Sequence, residues 1–245
     1  MFQPLRIAPS ILSANFMNLQ ADIDLIESAG AGLVHVDVMD GHFVPNLSMG
    51  VPLVKQLKHA TGLPLDVHLM VSNPDVQMPW FLAAGADVLT VHAEVLDAAA
   101  LARTVALIRA GGAHPAVSIK PATPVSVLAP VIAALDMVLV MSVEPGFSGQ
   151  GYIEGSERKV AEVAELARAV GNDGLLIEVD GGIGPDTVAR VVAAGADIVV
   201  CGSAVFGAPS PAAALREVER VGNEARLAAL AAGAPAMTGA SEEAR

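Results

Sequence analysis

The chain has little of several residue types, and each shortage excludes a class of protein. Its 245 residues include one cysteine, Cys201, so no intramolecular disulfide can form, and the sequence favours a reducing compartment. Cations are few: 14 Lys and Arg face 26 Asp and Glu, which gives a net charge of -12. Because affinity for phosphate backbones depends on clustered cations, this charge argues against nucleic-acid binding. Aromatic residues make up only 3% of a chain that is 53% hydrophobic, which predicts a large aliphatic core.

Long hydrophobic runs are also missing. The longest uncharged stretch, Ile198 to Leu215, is interrupted by glycine, proline and serine, so it does not suit a membrane span. Residues Met1 to Ser13 lack the basic start, apolar segment and cleavage site of a signal peptide. We therefore expect a cytoplasmic protein without a membrane partner.

Short apolar runs of strand length alternate with segments of helical periodicity. The predicted strands are Leu5 to Pro9, Leu33 to Met39, Leu65 to Met70, Val88 to His92, Ala116 to Lys120, Met137 to Ser142, Leu175 to Asp180 and Ile198 to Cys201. The predicted helices are Asn18 to Ala29, Val51 to Ala60, Pro74 to Ala84, Asp97 to Ala110, Val125 to Ala134, Ser156 to Val170, Pro185 to Ala194 and Pro211 to Leu230. Strands joined by crossover helices run parallel, and eight such units predict one closed (β/α)8 barrel, the TIM-barrel fold. We expect this α/β barrel to be a single catalytic domain over residues 1–230. The polar segment 231–245, which has no apolar period, is predicted to be a disordered tail.

Polar side chains occupy the carboxyl ends of the predicted strands, where barrels carry their reacting groups. Side chains alternate along a strand, so His35 and Asp37 share one side of the second strand, and His68 projects inwards from the third. Asp180 ends the seventh strand. Buried imidazoles and carboxylates are costly unless they are paired or bind an ion. Two of each indicate one divalent metal, Zn²⁺, Fe²⁺, Mn²⁺ or Co²⁺. The alternative is a buried hydrogen-bond network, and His92 is expected to be an ordinary satisfied histidine.

Glycine-rich segments follow the last three strands. Gly181-Gly182 follows the seventh strand and Gly202-Ser203 the eighth, and loops at these two places commonly form the phosphate site of a barrel. After the sixth strand, the segment Glu144 to Gly151 predicts a lid that closes over substrate and excludes water. A plain solvated turn is the other interpretation.

Ordered motifs in the chain resemble those of the ribulose-phosphate 3-epimerase family. They are Ser10 to Phe16, His35 to Asn46, Asp66 to Met70, Val140 to Phe147, Val179 to Ile183 and Gly202 to Phe206, and they span about Ile7 to Phe206. The resemblance implies a barrel of the ribulose-phosphate-binding type. It also implies an isomerase that interconverts D-ribulose 5-phosphate and D-xylulose 5-phosphate in the pentose phosphate pathway, and in the Calvin cycle of photosynthetic organisms. A homo-oligomer is implied as well.

The resemblance assigns roles to individual residues. It implies that His35, Asp37, His68 and Asp180 hold one metal per subunit and that Asp37 and Asp180 are the acid/base pair. The substrate-binding residues would be Ser10, His68, Gly146, Phe147, Ser148, Gly149, Asp180, Gly181, Gly182, Gly202 and Ser203. Epimerisation beside a ketone needs a carboxylate on each face of the carbon, and a metal would stabilise the enediolate intermediate. Met39, Met70 and Met141 would form an apolar wall beside this intermediate, with core filling as their alternative role.

Other functions stay open on the sequence. The same chemistry would suit a six-carbon ketose phosphate such as D-allulose 6-phosphate, since sequence does not reveal the length of the pocket. Lys120, at the end of the fifth strand, would be the nucleophile of a Schiff-base aldolase. A silent sugar-phosphate binding protein is the third alternative. One departure is Ser148, where family members often have glycine; a positive φ there would strain the lid.

Overall fold

The structure, a computed structural model, describes residues 3–233 and confirms the predicted α/β barrel. Its parallel strands are β1 (Arg6–Pro9), β2 (Val34–Met39), β3 (Leu65–Met70), β4 (Val88–His92), β5 (His114–Ile119), β6 (Met137–Met141), β7 (Leu176–Asp180) and β8 (Ile198–Cys201). Their order in the sheet is β1-β8-β7-β6-β5-β4-β3-β2. A parallel bridge between Ser10 and His35 brings β1 next to β2, so the barrel is nearly closed.

Helices cover the outside of the barrel. They are α1 (Leu19–Ala29), α2 (Val51–Ala60), α3 (Pro74–Ala84), α4 (Ala98–Ala110), α5 (Ser156–Ala169), α6 (Val188–Ala194), α7 (Ser203–Phe206) and α8 (Pro211–Ala231). Three of them end at a glycine with positive φ, Gly30, Gly85 or Gly195, as expected where a helix must turn sharply into the next strand.

The core lies between the outer face of the sheet and the helices. Val36 and Val38 of β2 and Val67 and Leu69 of β3 are buried there, in the largest apolar cluster. The alternate residues of the same strands face the barrel interior, which leaves His35, Asp37, Asp66 and His68 inside. Strand alternation therefore separates an aliphatic outer layer from a polar interior.

Two predicted elements differ from the structure. The helix predicted for Val125 to Ala134 is wrong: two short 3-10 helices, Val125–Leu128 and Ile132–Ala134, occupy this segment. Pro130 lies between them, and proline removes a helical N–H and clashes with the preceding turn. The helix predicted from Pro185 begins at Val188, after a turn in which Gly184 N–H donates to Thr187 Oγ1 over 3.0 Å. The other predicted boundaries agree to within two residues.

The C-terminal end of the chain is described only in part. Helix α8 runs to Ala231, one residue into the predicted tail, and positions 234–245 of that tail lie outside the described residues. Between residues 3 and 233, no helix combines the length and the apolar character needed to cross a membrane.

Candidate metal and substrate site

Four side chains meet at the carboxyl end of the barrel. His35 and Asp37 come from β2, His68 from β3 and Asp180 from the end of β7. Asp37 pairs with His68 in the register of β2 and β3, so their side chains project from neighbouring positions. One nitrogen or oxygen of each of the four residues lies within 4.8 Å of all the others. The predicted set is therefore brought together in the fold.

Asp37 lies at the centre of this cluster. Its Oδ2 accepts a hydrogen bond from Ser10 Oγ over 2.5 Å. Its Oδ1 lies 3.3 Å from His35 Nε2 and 3.2 Å from His68 Nδ1. One carboxylate oxygen and two imidazole nitrogens thus face the same small volume.

The far side of the His35 ring explains why its Nε2 points into the cluster. Nδ1 of His35 lies 2.5 Å from Asp66 Oδ2, deep in the barrel. A carboxylate accepts but does not donate, so Nδ1 carries the proton, and in the neutral ring Nε2 keeps a lone pair. His35 Nε2 is buried without a hydrogen-bond partner in the described chain. An unpartnered lone pair next to carboxylate oxygens fits a divalent cation bound by these residues.

His68 is also held by a contact at Nε2, the ring nitrogen that does not face Asp37. Its Nε2 lies 2.9 Å from Nε2 of His92, and Nδ1 of His92 lies 2.9 Å from Oε2 of Glu94. Oε1 of Glu94 accepts hydrogen bonds from the Lys120 backbone N–H over 2.7 Å and from Thr123 Oγ1 over 2.5 Å. His92 is a satisfied histidine, as expected, but its contact with His68 makes it part of the site.

The environment separates the pKa values of the two carboxyl groups. Burial and the nearby charge of Asp37 raise the pKa of Asp180 to about 6. Burial would also raise the pKa of Asp37, but His35 and His68 outweigh it and hold that pKa below its usual range. Burial would lower the pKa of His35, yet Asp66 and Asp37 raise it well above 6.5, so without a cation the ring tends to carry a second proton on Nε2, which a metal bound there would displace. Near neutral pH, Asp37 is therefore ionised while Asp180 is close to its own titration.

A cavity of about 290 Å³ opens above the cluster. Asp37 and Asp180 lie on its wall, and the buried His35 and His68 lie beneath it. The predicted residues that line this cavity are Ser10, Asp37, Met39, Met70, Met141, Gly146, Phe147, Ser148, Gly149, Asp180, Gly181, Gly182, Gly202 and Ser203. A small ligand in the cavity would touch both carboxyl groups at one end and glycine-rich loops at the other.

The glycine-rich loops approach one another closely. Gly182 has φ +63°, and a Cβ built on it would lie 2.3 Å from the backbone nitrogen of Tyr152, in the segment after β6. Ser148 of that segment shares a 2.5 Å hydrogen bond with Ser13, beside Gly202. Every positive φ in residues 3–233 belongs to a glycine, so the strain considered for Ser148 is absent.

Comparison with known proteins identifies the family. The model of the "Ribulose-phosphate 3 epimerase family" matches residues 6–206. This chain belongs to the ribulose-phosphate 3-epimerase family. A ribulose-phosphate 3-epimerase of Bacillus subtilis is 46% identical over 214 residues, which cover 87% of this chain and 98% of that protein. A chloroplastic ribulose-5-phosphate-3-epimerase of Arabidopsis thaliana is 44% identical over 87% of this chain and 75% of its own length.

Solved structures place the epimerase-family chain among barrels of the same shape. A 3-hexulose-6-phosphate synthase from Salmonella typhimurium aligns with a TM-score of 0.69 at 19% identity, over 90% of this chain and all of that one. A thiamine phosphate pyrophosphorylase from Pyrococcus furiosus aligns with a TM-score of 0.62 at 14% identity, over 90% and 96%. At these identities the likeness confirms the fold alone.

Two parts of the epimerase-family site received no functional role from the sequence. The first is Glu94, which lies two residues beyond the end of β4. The second is the pair Asp66 and Glu178 inside the barrel, where Glu178 is buried and neither of its oxygens has a hydrogen-bond partner in the described chain. Burial and the charge of Asp66 raise the pKa of Glu178 well above its usual range. Strand alternation places Asp66 and Glu178 on the inward side of β3 and β7, whereas Glu94 lies beyond the end of β4, where no strand pattern applies.

Proposed function

We propose that the chain is a metal-dependent ribulose-phosphate 3-epimerase that interconverts D-ribulose 5-phosphate and D-xylulose 5-phosphate. The observation that carries this proposal is the meeting of two carboxyl groups and two imidazoles within 4.8 Å, below a cavity, in a chain of that family. A set of this kind suits proton transfer beside a carbonyl group.

Asp37 and Asp180 exchange the C3 proton. In either direction one carboxylate removes the proton from one face of C3, and the other, in its acid form, donates a proton to the opposite face. The electron pair of the broken C–H bond moves into an enediolate and returns to C3 when the new C–H bond forms. Without a bound cation the pKa of Asp180 is about 6 while that of Asp37 lies below its usual range, so the two carboxyl groups differ in how readily they hold a proton.

His35, His68, Asp37 and Asp180 would hold a divalent cation. Such a cation supplies Lewis-acid stabilisation of the negative charge that develops on the sugar oxygens. The remaining work falls to the chain itself. Ser10 donates to Asp37 and fixes the orientation of that carboxylate. Met39, Met70 and Met141 present a wall of low polarity that keeps water from the enediolate.

The phosphate of the substrate would bind at the glycine end of the cavity. Gly181 and Gly182 follow β7, Gly202 and Ser203 follow β8, and the short helix α7 begins at Ser203. Backbone N–H groups in such loops suit a phosphate without any lysine or arginine. Gly146, Phe147, Ser148 and Gly149 would cover the substrate from the segment after β6.

The other functions have weaker support. An aldolase would need the amine of Lys120 in the cavity, yet Lys120 is not among the residues that line it, and its Nζ lies 4.0 Å from the centre of the Phe43 ring. A silent binding protein would not need both Asp37 and Asp180. A six-carbon ketose phosphate stays the nearest alternative substrate, and D-allulose 6-phosphate is therefore assayed beside the pentulose phosphates.

Replacement of each carboxyl group tests the mechanism. Asp37→Asn and Asp180→Asn should each slow epimerisation by about 10²- to 10⁴-fold, the usual contribution of a positioned acid or base. In D₂O, each variant should still exchange the C3 hydrogen of one epimer only, because one face keeps its base. Bound metal is measured in parallel, so that loss of a ligand is distinguished from loss of a base. Near wild-type turnover in either variant would contradict the proposal.

The cellular setting is part of the same proposal. We assign the chain to the pentose phosphate pathway, a cytoplasmic location and a homo-oligomeric state on the strength of the family and the composition. One catalytic domain over residues 1–230, without nucleic-acid or membrane partners, completes it. Chelator treatment followed by addition of Zn²⁺, Mn²⁺, Fe²⁺ or Co²⁺ would rank the metals.

A further inference from the structure

We propose that Glu94 and His92 are positioning residues that fix the proton of His68 on Nε2 and so turn the Nδ1 lone pair of His68 towards the metal. The geometry that points to this is a continuous chain of contacts from Glu94 through His92 to His68 and Asp37. The inference rests on the metal site of the proposed function and names two further residues on which that site depends.

Glu94 determines which atoms donate and which accept in this series of contacts. Glu94 is held in place by two donors on Oε1, the Lys120 backbone N–H and the Thr123 hydroxyl, which leaves Oε2 to face Nδ1 of His92. An ionised carboxylate can only accept hydrogen bonds. Nδ1 of His92 therefore carries a proton and donates it to Glu94.

The proton on Nδ1 of His92 in turn determines which nitrogen of His68 is protonated. His92 is completely buried and has one carboxylate neighbour, so a neutral ring with its proton on Nδ1 leaves Nε2 as an acceptor. Nε2 of His68 faces it at 2.9 Å and must be the donor. With its proton on Nε2, neutral His68 presents a bare Nδ1 to the cluster, 3.2 Å from Asp37 Oδ1.

The ring of His35 is oriented by a carboxylate that contacts it directly. Asp66 accepts from Nδ1 of His35, so in the neutral ring the bare nitrogen is Nε2, 3.3 Å from the same Asp37 oxygen. One ligand imidazole is thus oriented directly by a carboxylate, and the other through an intervening histidine. Two lone pairs beside one carboxylate oxygen repel each other unless a cation lies between them, so both arrangements favour a bound metal.

Glu94→Gln is the sharpest test, because the amide keeps the size of the side chain but has one acceptor oxygen. The Lys120 N–H can only donate, so the amide oxygen is drawn to it and the NH₂ group turns towards His92. His92 must then accept at Nδ1 and donate from Nε2. Nε2 of His68 becomes an acceptor, so the His68 proton moves to Nδ1 and the lone pair that this nitrogen would offer to the metal is lost. We expect Zn²⁺ affinity, measured by competition with a chromophoric chelator, to fall about tenfold to hundredfold.

The matched control is Asp97→Asn, which removes the same charge three residues further along. Asp97 caps α4 by accepting from the Ala100 N–H over 2.8 Å, and asparagine caps equally well. Asp97→Asn should bind Zn²⁺ as the wild type does. Unchanged Zn²⁺ affinity in Glu94→Gln, or an equal loss in both variants, would overturn the inference, whereas a wild type that binds no Zn²⁺ would instead overturn the proposed metal site.

A measurement on the unaltered protein covers the case in which Glu94→Gln fails to fold. The ¹⁵N shifts of the histidine side chains in the Zn²⁺-loaded chain report which nitrogen of each ring is protonated. We expect the proton on Nδ1 of His92 and on Nε2 of His68. A proton on Nδ1 of His68 would refute the proposed role of His92 and Glu94, whatever Zn²⁺ affinity the variants show.

Discussion

Gly182→Ala tests how closely the segment after β6 approaches the phosphate end of the site. A Cβ at position 182 would lie 2.3 Å from the backbone nitrogen of Tyr152, 2.7 Å from its Cα and 3.0 Å from the carbonyl oxygen of Gln150. All three are backbone atoms, so no side-chain rotation relieves the contact. Ordinary contact requires a separation of about 3.5 to 4.0 Å, so one of the two loops must move by roughly 1 Å or more.

The two loops differ in how easily they move. Gly182 follows β7, which is paired on both sides by β6 and β8. The segment containing Tyr152 is attached through Ile153 N–H to Ser142 O over 2.9 Å and through Tyr152 OH to Glu157 over 2.7 Å. We expect this more lightly attached segment to be displaced. Alanine at φ +63° adds about 1–2 kcal/mol of backbone strain.

The expected result is a large loss of activity with a moderate loss of stability. A misplacement of about 1 Å in a substrate-positioning element can cost about 10²-fold in rate, so kcat/KM should fall by roughly that factor. The free energy of unfolding, from urea titration, should fall by about 1–3 kcal/mol. Both are measured on metal-loaded protein.

Gly184→Ala is the matched control, two residues along the same loop. Its Cβ would lie 3.4 Å from Cβ of Ala204, an ordinary contact, and its φ is not positive. Its kcat/KM should stay within about twofold of the wild type. If Gly182→Ala keeps wild-type kcat/KM, or if the two variants lose activity equally, the reasoning from the Tyr152 contact is refuted.

Three other results are expected. In metal-free protein the pKa of Asp180 is raised to about 6, so the folded chain binds this proton more tightly than the unfolded chain, and this group adds stability as pH falls from above 6 towards 4. The pKa of His92, lowered to about 4, acts in the opposite direction, so the expected result is a difference between variants: lowering the pH from 8 to 5 should favour the melting temperature of the wild type more than that of Asp180→Asn. The raised pKa of His35 acts in the same direction as that of Asp180, and an identical pH dependence of the melting temperature in wild type and Asp180→Asn would contradict the raised pKa of Asp180. Gly222→Ala should lower the free energy of unfolding by about 1–3 kcal/mol, because its Cβ would lie 2.2 Å from Cδ2 of Leu5, while Gly174→Ala, with open space around it, should not. Lys120→Arg should keep epimerisation, and the wild type should not be trapped by borohydride with a ketose phosphate, since a Schiff base would require the Lys120 amine.

Strand alternation explains why much of the site could be predicted. In a parallel barrel, the inward residues at the carboxyl ends of the strands share one small volume, whatever their distance along the chain. A period of two along β2 and β3 is enough to select His35, Asp37 and His68. The residue types already indicated a metal, and the glycine-rich loops a phosphate, whereas the acid/base roles and the identity of the substrate came from the resemblance to the family.

The remaining features depend on contacts that no local pattern records. Glu94 lies in a 3-10 helix after β4, and its partners Lys120 and Thr123 come from the loop after β5. The unstrained backbone of Ser148 follows from how the loop closes against Ser13. The segment 125–134 has an apolar period but forms no α-helix for a different reason: Pro130 lacks the N–H that a continuous helix needs.

The interior of the barrel has a cost that its outer face must offset. Asp66, Glu178, Thr90 and Ser118 are buried with side-chain oxygens that find no partner among the described residues, and each such atom destabilises the fold. The outer face of the same strands is almost wholly Val, Leu and Ile packed under helices, and burial of these side chains is favourable at about 25 cal/mol per Å². Because alternate residues of one strand serve the two faces, the polar interior can change without loss of the apolar layer. The carboxylates that orient His35 and His68 are therefore tolerated although they lower the stability of the fold. They increase the affinity for a cation, because the lone pairs that they orient are the ones that bind it.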